Sequence, residues 1–309
     1  MIVRRNLKLS IVARMTWRAV LFFAVAGVTS SVIAHVLDLK RDLIPPGAVS
    51  ALSTALAIFL AFRNSSAYDR WWESRKLWGT LINSSRTFAR QVMTFTTGEW
   101  AHKEFGAERL SAMRKLLVYR QIAFAHALRL MLRGQQAEYR QTLEPFLPPD
   151  EIERVVSSTN APAMIIELQA ETLRDAHHDG MIDNFRHVQF DGTLTAFTDV
   201  EGGCERIKNT PLPRPYDYYP RAFLWFYSIL LPLSLASHLR WWTPAISVPI
   251  SFLFLVLSNI GRNTEDPFEN RIQDIPLTAL CRTIERNLRE ALGEKDLPPP
   301  LQPVDGFLF

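Results

Sequence analysis

The sequence has little cysteine, no strand-like alternation and none of the short motifs of soluble catalysis. Only Cys204 and Cys281 occur in 309 residues, far apart and among charged neighbours. They form no CxxC pair and no even framework, which argues against a disulfide scaffold and for free thiols in a reducing compartment. No period-two run is bounded by turn residues, so no sheet is expected. No internal repeat of fixed period is present. GxGxxG, the Walker loop, GxSxG and HExxH are missing, which leaves nucleotide binding, an acyl-transfer triad and a zinc peptidase unsupported. An excess of one charge is lacking too: Lys plus Arg is 35, Asp plus Glu is 31, and the net charge is +4. No basic stripe interleaves with aromatics, so nucleic acid is not an expected partner.

The mean hydropathy of −0.01 hides a segregation. Apolar residues concentrate in four uncharged blocks, residues 19–37, 43–62, 222–239 and 241–261. Each approaches the ~20 residues that a helix needs to cross ~30 Å of hydrocarbon. Four core helices of a soluble protein are the competing reading, but four blocks without a charge are rare in water-soluble folds. No cleavable signal peptide precedes the first block, which is long enough to remain in a bilayer. Arg4, Arg5, Lys8, Arg14 and Arg18 precede it with no acid among them; Arg63, Arg70, Arg75 and Lys76 follow the second. The positive-inside rule then places both termini in the cytoplasm of a multi-pass inner (plasma) membrane protein. Trp71, Trp72, Trp241 and Trp242 suit its interfaces. The expected organisation is a cytoplasmic segment 1–18, two spans in 19–62, a helical cytoplasmic domain 63–220, two spans in 221–261 and a cytoplasmic segment 262–309.

Helical spacing continues into the charged regions. Trp72, Leu77, Leu81, Phe88 and Val92 predict a helix over 68–95, with no breaker after Phe62, so the second span and its extension form one rod. Further helices are expected over 112–133, ended by Gly134; from Pro148-Pro149-Asp150; over 163–176 behind Asn160 as N-cap; and over 181–208. The proline-rich stretch 298–303 is expected to be extended or disordered.

Few constellations carry chemistry. In the second block Ala48, Ala51, Ala55, Ala57 and Ala61 are small enough to let helices approach in lipid. Thr54, Ile58 and Phe62 share one face. Copies of that face around an axis would stack apolar rings that gate ions by dewetting; periodicity alone favours the plainer reading that Ile58 and Phe62 pack against neighbouring helices. Prolines 45, 46, 232, 244 and 249 fit either broken helices around a cavity or plain kinks. Glu171, Asp175, His177 and His178 lie close together, with Glu171, Asp175 and His178 on one side of a helix, which keeps a membrane-anchored, metal-dependent enzyme as an alternative class. Glu265, Asp266, Glu269 and Asp274 offer oxygen ligands without EF-hand spacing, Asp266 and Asp274 being the metal candidates. A secondary transporter is the remaining class, and the inverted repeats usual for it are not visible.

Four collinear stretches resemble the bestrophin family, most closely its bacterial members: IFLAFRNSSAYDRWWESRKLWG (58–79), RQIAFAHALR (120–129), GCERIKNTPLPRPY (203–216) and EDPFENRIQDIPLTALCRTIE (265–285). They cover well over half the chain. The resemblance implies an all-α homopentameric ion channel in membrane lipid, with four membrane helices and a helical cytoplasmic domain per subunit, no catalysis and no cofactor. It places the pore neck at Thr54, Ile58 and Phe62, Thr54 departing from the more apolar residue expected there. It places the cytoplasmic aperture sixteen residues before Cys204, at Val188, between His187 and Gln189. Asn263, Asp266 and Asp274 match parts of a calcium clasp, but Arg271 stands where that clasp has an acid, and its charge opposes Ca²⁺. The permeant ion is expected to be a monovalent cation such as sodium, because Asp191, Asp199, Glu201 and Glu205 lie on or after the aperture helix, opposed by Arg186 and Lys208. Chloride is the alternative within the family.

Overall fold

The computed structural model describes residues 9–38, 41–97 and 106–309. The cations at positions 4, 5 and 8 lie outside these residues. The regular structure of the described residues is helical. The apolar α1 (Leu9–Val36) is followed by α2 (Pro46–Phe95), α3 (Ala107–Leu132), the short α4 (Tyr139–Leu143), α5 (Pro149–Ser157) and α6 (Ala161–His178). Then come α7 (Asn184–Asn209), α8 (Arg214–Leu239), α9 (Thr243–Thr264) and α10 (Leu277–Ala291). Among the described residues no strand forms; a single isolated bridge joins Val304 and Phe307. Two compact units divide the described residues, one from 9–71 with Pro211–Asp266, the other from Trp72–Thr210 with Pro267–Phe309.

The first unit holds α1, the first half of α2, α8 and α9. Stretches long and apolar enough to cross a membrane are Thr16–Val36, α2, and Arg214–Thr264. The last is broken at Arg240–Trp242, where Arg240 takes a positive φ of 45° and turns the chain from α8 into α9. The core gathers Phe23, Leu56, Leu60, Leu224, Tyr227, Leu231 and Phe254. Small residues set the closest approaches. A Cβ on Gly27 would lie 3.0 Å from the Pro244 Cα, and one on Gly261 would lie 2.1 Å from the Asn64 Oδ1. α1 meets α9, and α9 meets α2, at these glycines, as close packing in lipid requires.

α2 is unbroken over 50 residues, about 75 Å at 1.5 Å per residue. The single rod expected from the missing breaker is therefore present.

In the second unit α3 is the buried axis, with Leu117, Ile122, Phe124, Leu128 and Leu130 fully covered. Phe88 meets Phe190 and Phe197 edge-on at centroid distances of 5.8 and 5.7 Å, which ties α2 to α7. Asn160 caps α6 as expected, its Oδ1 accepting from the Ala163 N–H at 3.2 Å. Gly134 ends the α3 region with φ +68°, a conformation that glycine adopts without strain. The helix expected from residue 181 begins instead at Asn184. Gly180 turns the chain at φ +75°, Met181 and Ile182 are buried in irregular backbone, and the Asp183 carboxylate accepts from the Arg186 N–H at 3.0 Å as N-cap. Residues 298–303 take no regular structure, and beyond them the Phe309 carbonyl accepts from the Ala279 N–H at 2.9 Å. Cys204 and Cys281 are free and buried.

Several polar side chains in this core are matched to one another. Arg120 grips Glu151 with Nε and Nη2 at 2.9 and 2.6 Å, and its Nη1 donates to the Leu168 carbonyl and the Thr172 hydroxyl. Gln121 donates to Ser85 and accepts from Gln169, while Thr193 donates to Gln91. Removing one partner of a buried ion pair leaves an uncompensated charge. Arg120→Ala is therefore expected to lower unfolding stability by about 3–5 kcal/mol. The pair of changes Arg120→Met with Glu151→Leu should recover most of that loss; thermal unfolding of the detergent-solubilised protein measures both.

Candidate pore-lining faces

α2 presents two opposite faces in the first unit. Val49, Leu56, Leu60, Arg63 and Ala67 are buried, spaced as one side of a helix. Thr54, Ile58 and Phe62 sit on the other side and all are exposed, Ile58 by 51 % and Phe62 by 66 %. The exposed face is smooth towards its start, where Ala51 and Ala55 lie, and bulky towards its end. The Thr54 hydroxyl donates to the Ser50 carbonyl at 3.0 Å, so its hydrogen is used within the helix.

The rotation of α2 is set where the apolar block ends. Arg63, next to Phe62, is 1 % exposed. Its Nη2 pairs with the Asp217 carboxylate in the first turn of α8, which also holds Arg221, and lies 3.9 Å from Glu265; its Nη1 donates to the Ser258 carbonyl of α9 at 3.1 Å. Asn64 Nδ2 donates to the Leu257 carbonyl at 3.0 Å. A guanidinium in an apolar helix bundle must meet carboxylates and carbonyls, and meeting them turns Phe62 and Ile58 away from the bundle. In the sequence Arg63 registers only as one of the flanking cations. The signal that marks it is a charge abutting the last apolar residue of the block.

At the start of α7, Phe185 and Val188 point outward, three residues apart, Val188 exposed by 70 %. His187 is half-buried with its ring 4.9 Å from that of His177. Gln189 is exposed beside Val188.

The acids behind the cation expectation do not act together. Asp191 and Asp199 are exposed, but Glu201 is 3 % exposed and Glu205 is half-buried, accepting from the Asn160 amide at 3.2 Å. Lys208 is paired with Glu269, and Arg186 lies 3.2 Å from the Asp183 carboxylate. Neither Glu201 oxygen has a hydrogen-bond partner. Burial pushes this carboxyl up to about 7, with the negative charge of Glu205 adding and the Asn160 amide opposing.

The metal candidates are not assembled. Glu171 is bound by Arg154 at 3.0 Å, Asp175 by Arg174 at 2.8 Å, and the His177 ring by Asn184 at 2.7 Å. Asp266 is half-buried. Asp274 is buried, one oxygen accepting from the Arg271 N–H at 2.9 Å and the other unpartnered, and burial pushes it up to about 6. Among the described residues no group of three or more His, Cys, Asp or Glu side chains could hold a metal ion.

Helices throughout the described residues, several of membrane length and one with an exposed apolar face, mark a helical membrane protein. Its affiliation follows from comparison with known proteins. The family profile described as Bacterial/Fungal Bestrophin protein matches residues 2–290, and the chain belongs to the bestrophin family of ion channels. The voltage-dependent anion channel-forming protein YneE of Salmonella typhi is 36 % identical over 262 residues, covering 85 % of this chain and 81 % of the relative. The voltage-dependent anion channel-forming protein RSc3414 of Ralstonia nicotianae is 33 % identical, covering 93 % and 90 %. The crystal structure of a bacterial bestrophin homologue from Klebsiella pneumoniae superposes with a TM-score of 0.80 at 28 % identity, covering 89 % of this chain and 97 % of that one. These relatives are named channel-forming proteins, not enzymes. The names of these relatives specify anions, where α7 led to the expectation of a cation.

Glu201 sets a pH dependence. Its carboxyl is raised in the folded state, so the folded protein binds the proton more tightly, and stability falls as pH rises from about 4.5 through about 7. Glu201→Gln keeps the shape without the charge. It is expected to match the wild type near pH 4.5 and to exceed it by about 3 kcal/mol at pH 8, read as melting temperature against pH.

Proposed function

We propose that the chain forms a homopentamer around a central pore and passes monovalent anions, chloride among them, passively across the inner (plasma) membrane. Each subunit contributes four membrane helices, α1, the apolar half of α2, α8 and α9, with both termini in the cytoplasm. The boundaries are those expected from hydropathy: spans within 19–62 and 221–261, helical cytoplasmic parts over 63–220 and 262–309. Thr54, Ile58 and Phe62 form the neck, and Val188 the cytoplasmic aperture.

One observation carries this reading: Ile58 and Phe62 are exposed on a membrane helix whose opposite side is fastened to α8 and α9 through Arg63. Symmetric oligomers make the same patch on every subunit face a common axis, and a narrow apolar constriction gates by dewetting. The anion preference is supported by the relatives' names and by the removal of Glu201 and Glu205 from the acids free to attract cations. No formal charge lies on the Thr54, Ile58 and Phe62 face.

Purified protein in planar bilayers under asymmetric NaCl should reverse near the chloride equilibrium potential; reversal near the sodium potential would overturn the anion assignment. Ile58→Ala with Phe62→Ala should raise conductance several-fold. Unchanged currents would move the gate away from this face, and an assembly other than five subunits by native mass spectrometry would overturn the pentamer.

A further inference from the structure

The geometry points to a binding site for a small oxyanion, a carboxylate or a phosphate, on the face of α3 that packs against α10, built from His126, Arg129 and Arg133. His126, Arg129 and Arg133 follow one another at three and four residues and share one side of α3. α10 is seated on that side. The Cys281 thiol donates to the Ala125 carbonyl at 3.3 Å, and Arg133 Nη1 donates to the Thr278 hydroxyl at 2.7 Å.

What the site lacks is acceptors. His126 is 8 % exposed and stacked on Phe146 at 5.4 Å, and neither ring nitrogen has a partner. The Nε of Arg129 and the Nε and Nη2 of Arg133 are also buried without an acceptor. No carboxylate lies within 4.0 Å of either guanidinium among the described residues. The neighbouring acids are engaged elsewhere or too distant. Glu285 is shared by Arg282 and Arg289 at 3.4 Å each, Glu294 by Arg289 and Tyr119, and Glu138 accepts from Gln135. Asp274 takes the Arg271 N–H and forms no ion pair with Arg133.

Arg120, on the same helix, shows how this chain treats a buried guanidinium that needs no outside partner: a two-pronged carboxylate, a carbonyl and a hydroxyl. Arg129 and Arg133 receive none of the carboxylate. Arg129 and Arg133 are half-buried; a cation partly withdrawn from water without a counter-ion is unfavourable, and an oxyanion matches both the planar fork of arginine and a ring N–H. Burial, with Arg129 and Arg282 adding, pushes His126 down to about 3, so the ring is neutral and offers one donor. Burial also brings Arg133 down to about 10.

The test uses the full chain in detergent, with melting temperature followed against sodium phosphate and, separately, sodium acetate, at ionic strength held constant with NaCl. A saturable rise is expected in at least one series, the series that responds identifying the oxyanion. Arg129→Gln should abolish the rise, and His126→Phe, which keeps the ring on Phe146, should weaken half-saturation several-fold. Arg140→Gln, at an exposed pair with Glu153, should titrate as wild type. No saturable response to either anion in the wild type, or an equal response in Arg129→Gln and His126→Phe, would overturn the site.

Discussion

Arg63 is the constraint on which the membrane half depends. A guanidinium at the end of an apolar block has no cheap place in a helix bundle except among carboxylates and carbonyls. Asp217, Glu265 and the Ser258 carbonyl supply that place from α8 and α9. Because α2 is helical, fixing Arg63 fixes the azimuth of every residue before it. Val49, Leu56 and Leu60 are turned inwards, and Thr54, Ile58 and Phe62 outwards. The Asn64 amide on Leu257, and the bare Cα of Gly261 beside it, hold the same joint from a second side.

The other unit uses polar groups differently. Arg120 and Glu151 grip each other inside it, with the Leu168 carbonyl and the Thr172 hydroxyl taking the remaining guanidinium nitrogen, which is the condition under which buried polarity specifies an arrangement instead of weakening it. Glu201 departs from that pattern, and so do the cations beside His126. Titration of a lone carboxyl relieves its burial. A guanidinium has no such route near neutral pH, so it needs a counter-ion.

Much of the helical layout was legible in the sequence. The block 43–62 and the spacing of Trp72, Leu81 and Phe88 foretold one long α2 because nothing between them breaks a helix. Asn160 was readable as a cap because its side chain acts on the next turn only. The start of α7 was not: Met181 and Ile182 continue an apolar spacing, and only the turn at Gly180 with the Asp183 cap excludes them from the helix. The cluster of Glu171, Asp175 and His178 looked like ligands on one side of α6. Arg154, Arg174 and Asn184, distant or facing in ways that spacing does not encode, occupy Glu171, Asp175 and the neighbouring His177.

The sequence by itself determined the class: four uncharged blocks must find an apolar solvent, and the collinear stretches around FRNSSAYDRWW carry the family. It also determined which residues of α2 share a face, since helical periodicity is a local property. Tertiary structure decided which face of α2 is left uncovered and which acids of α7 are free. Those outcomes depend on partners such as Asp217 and Asn160, held by other helices, and a local pattern contains no information about what lies across the gap between helices.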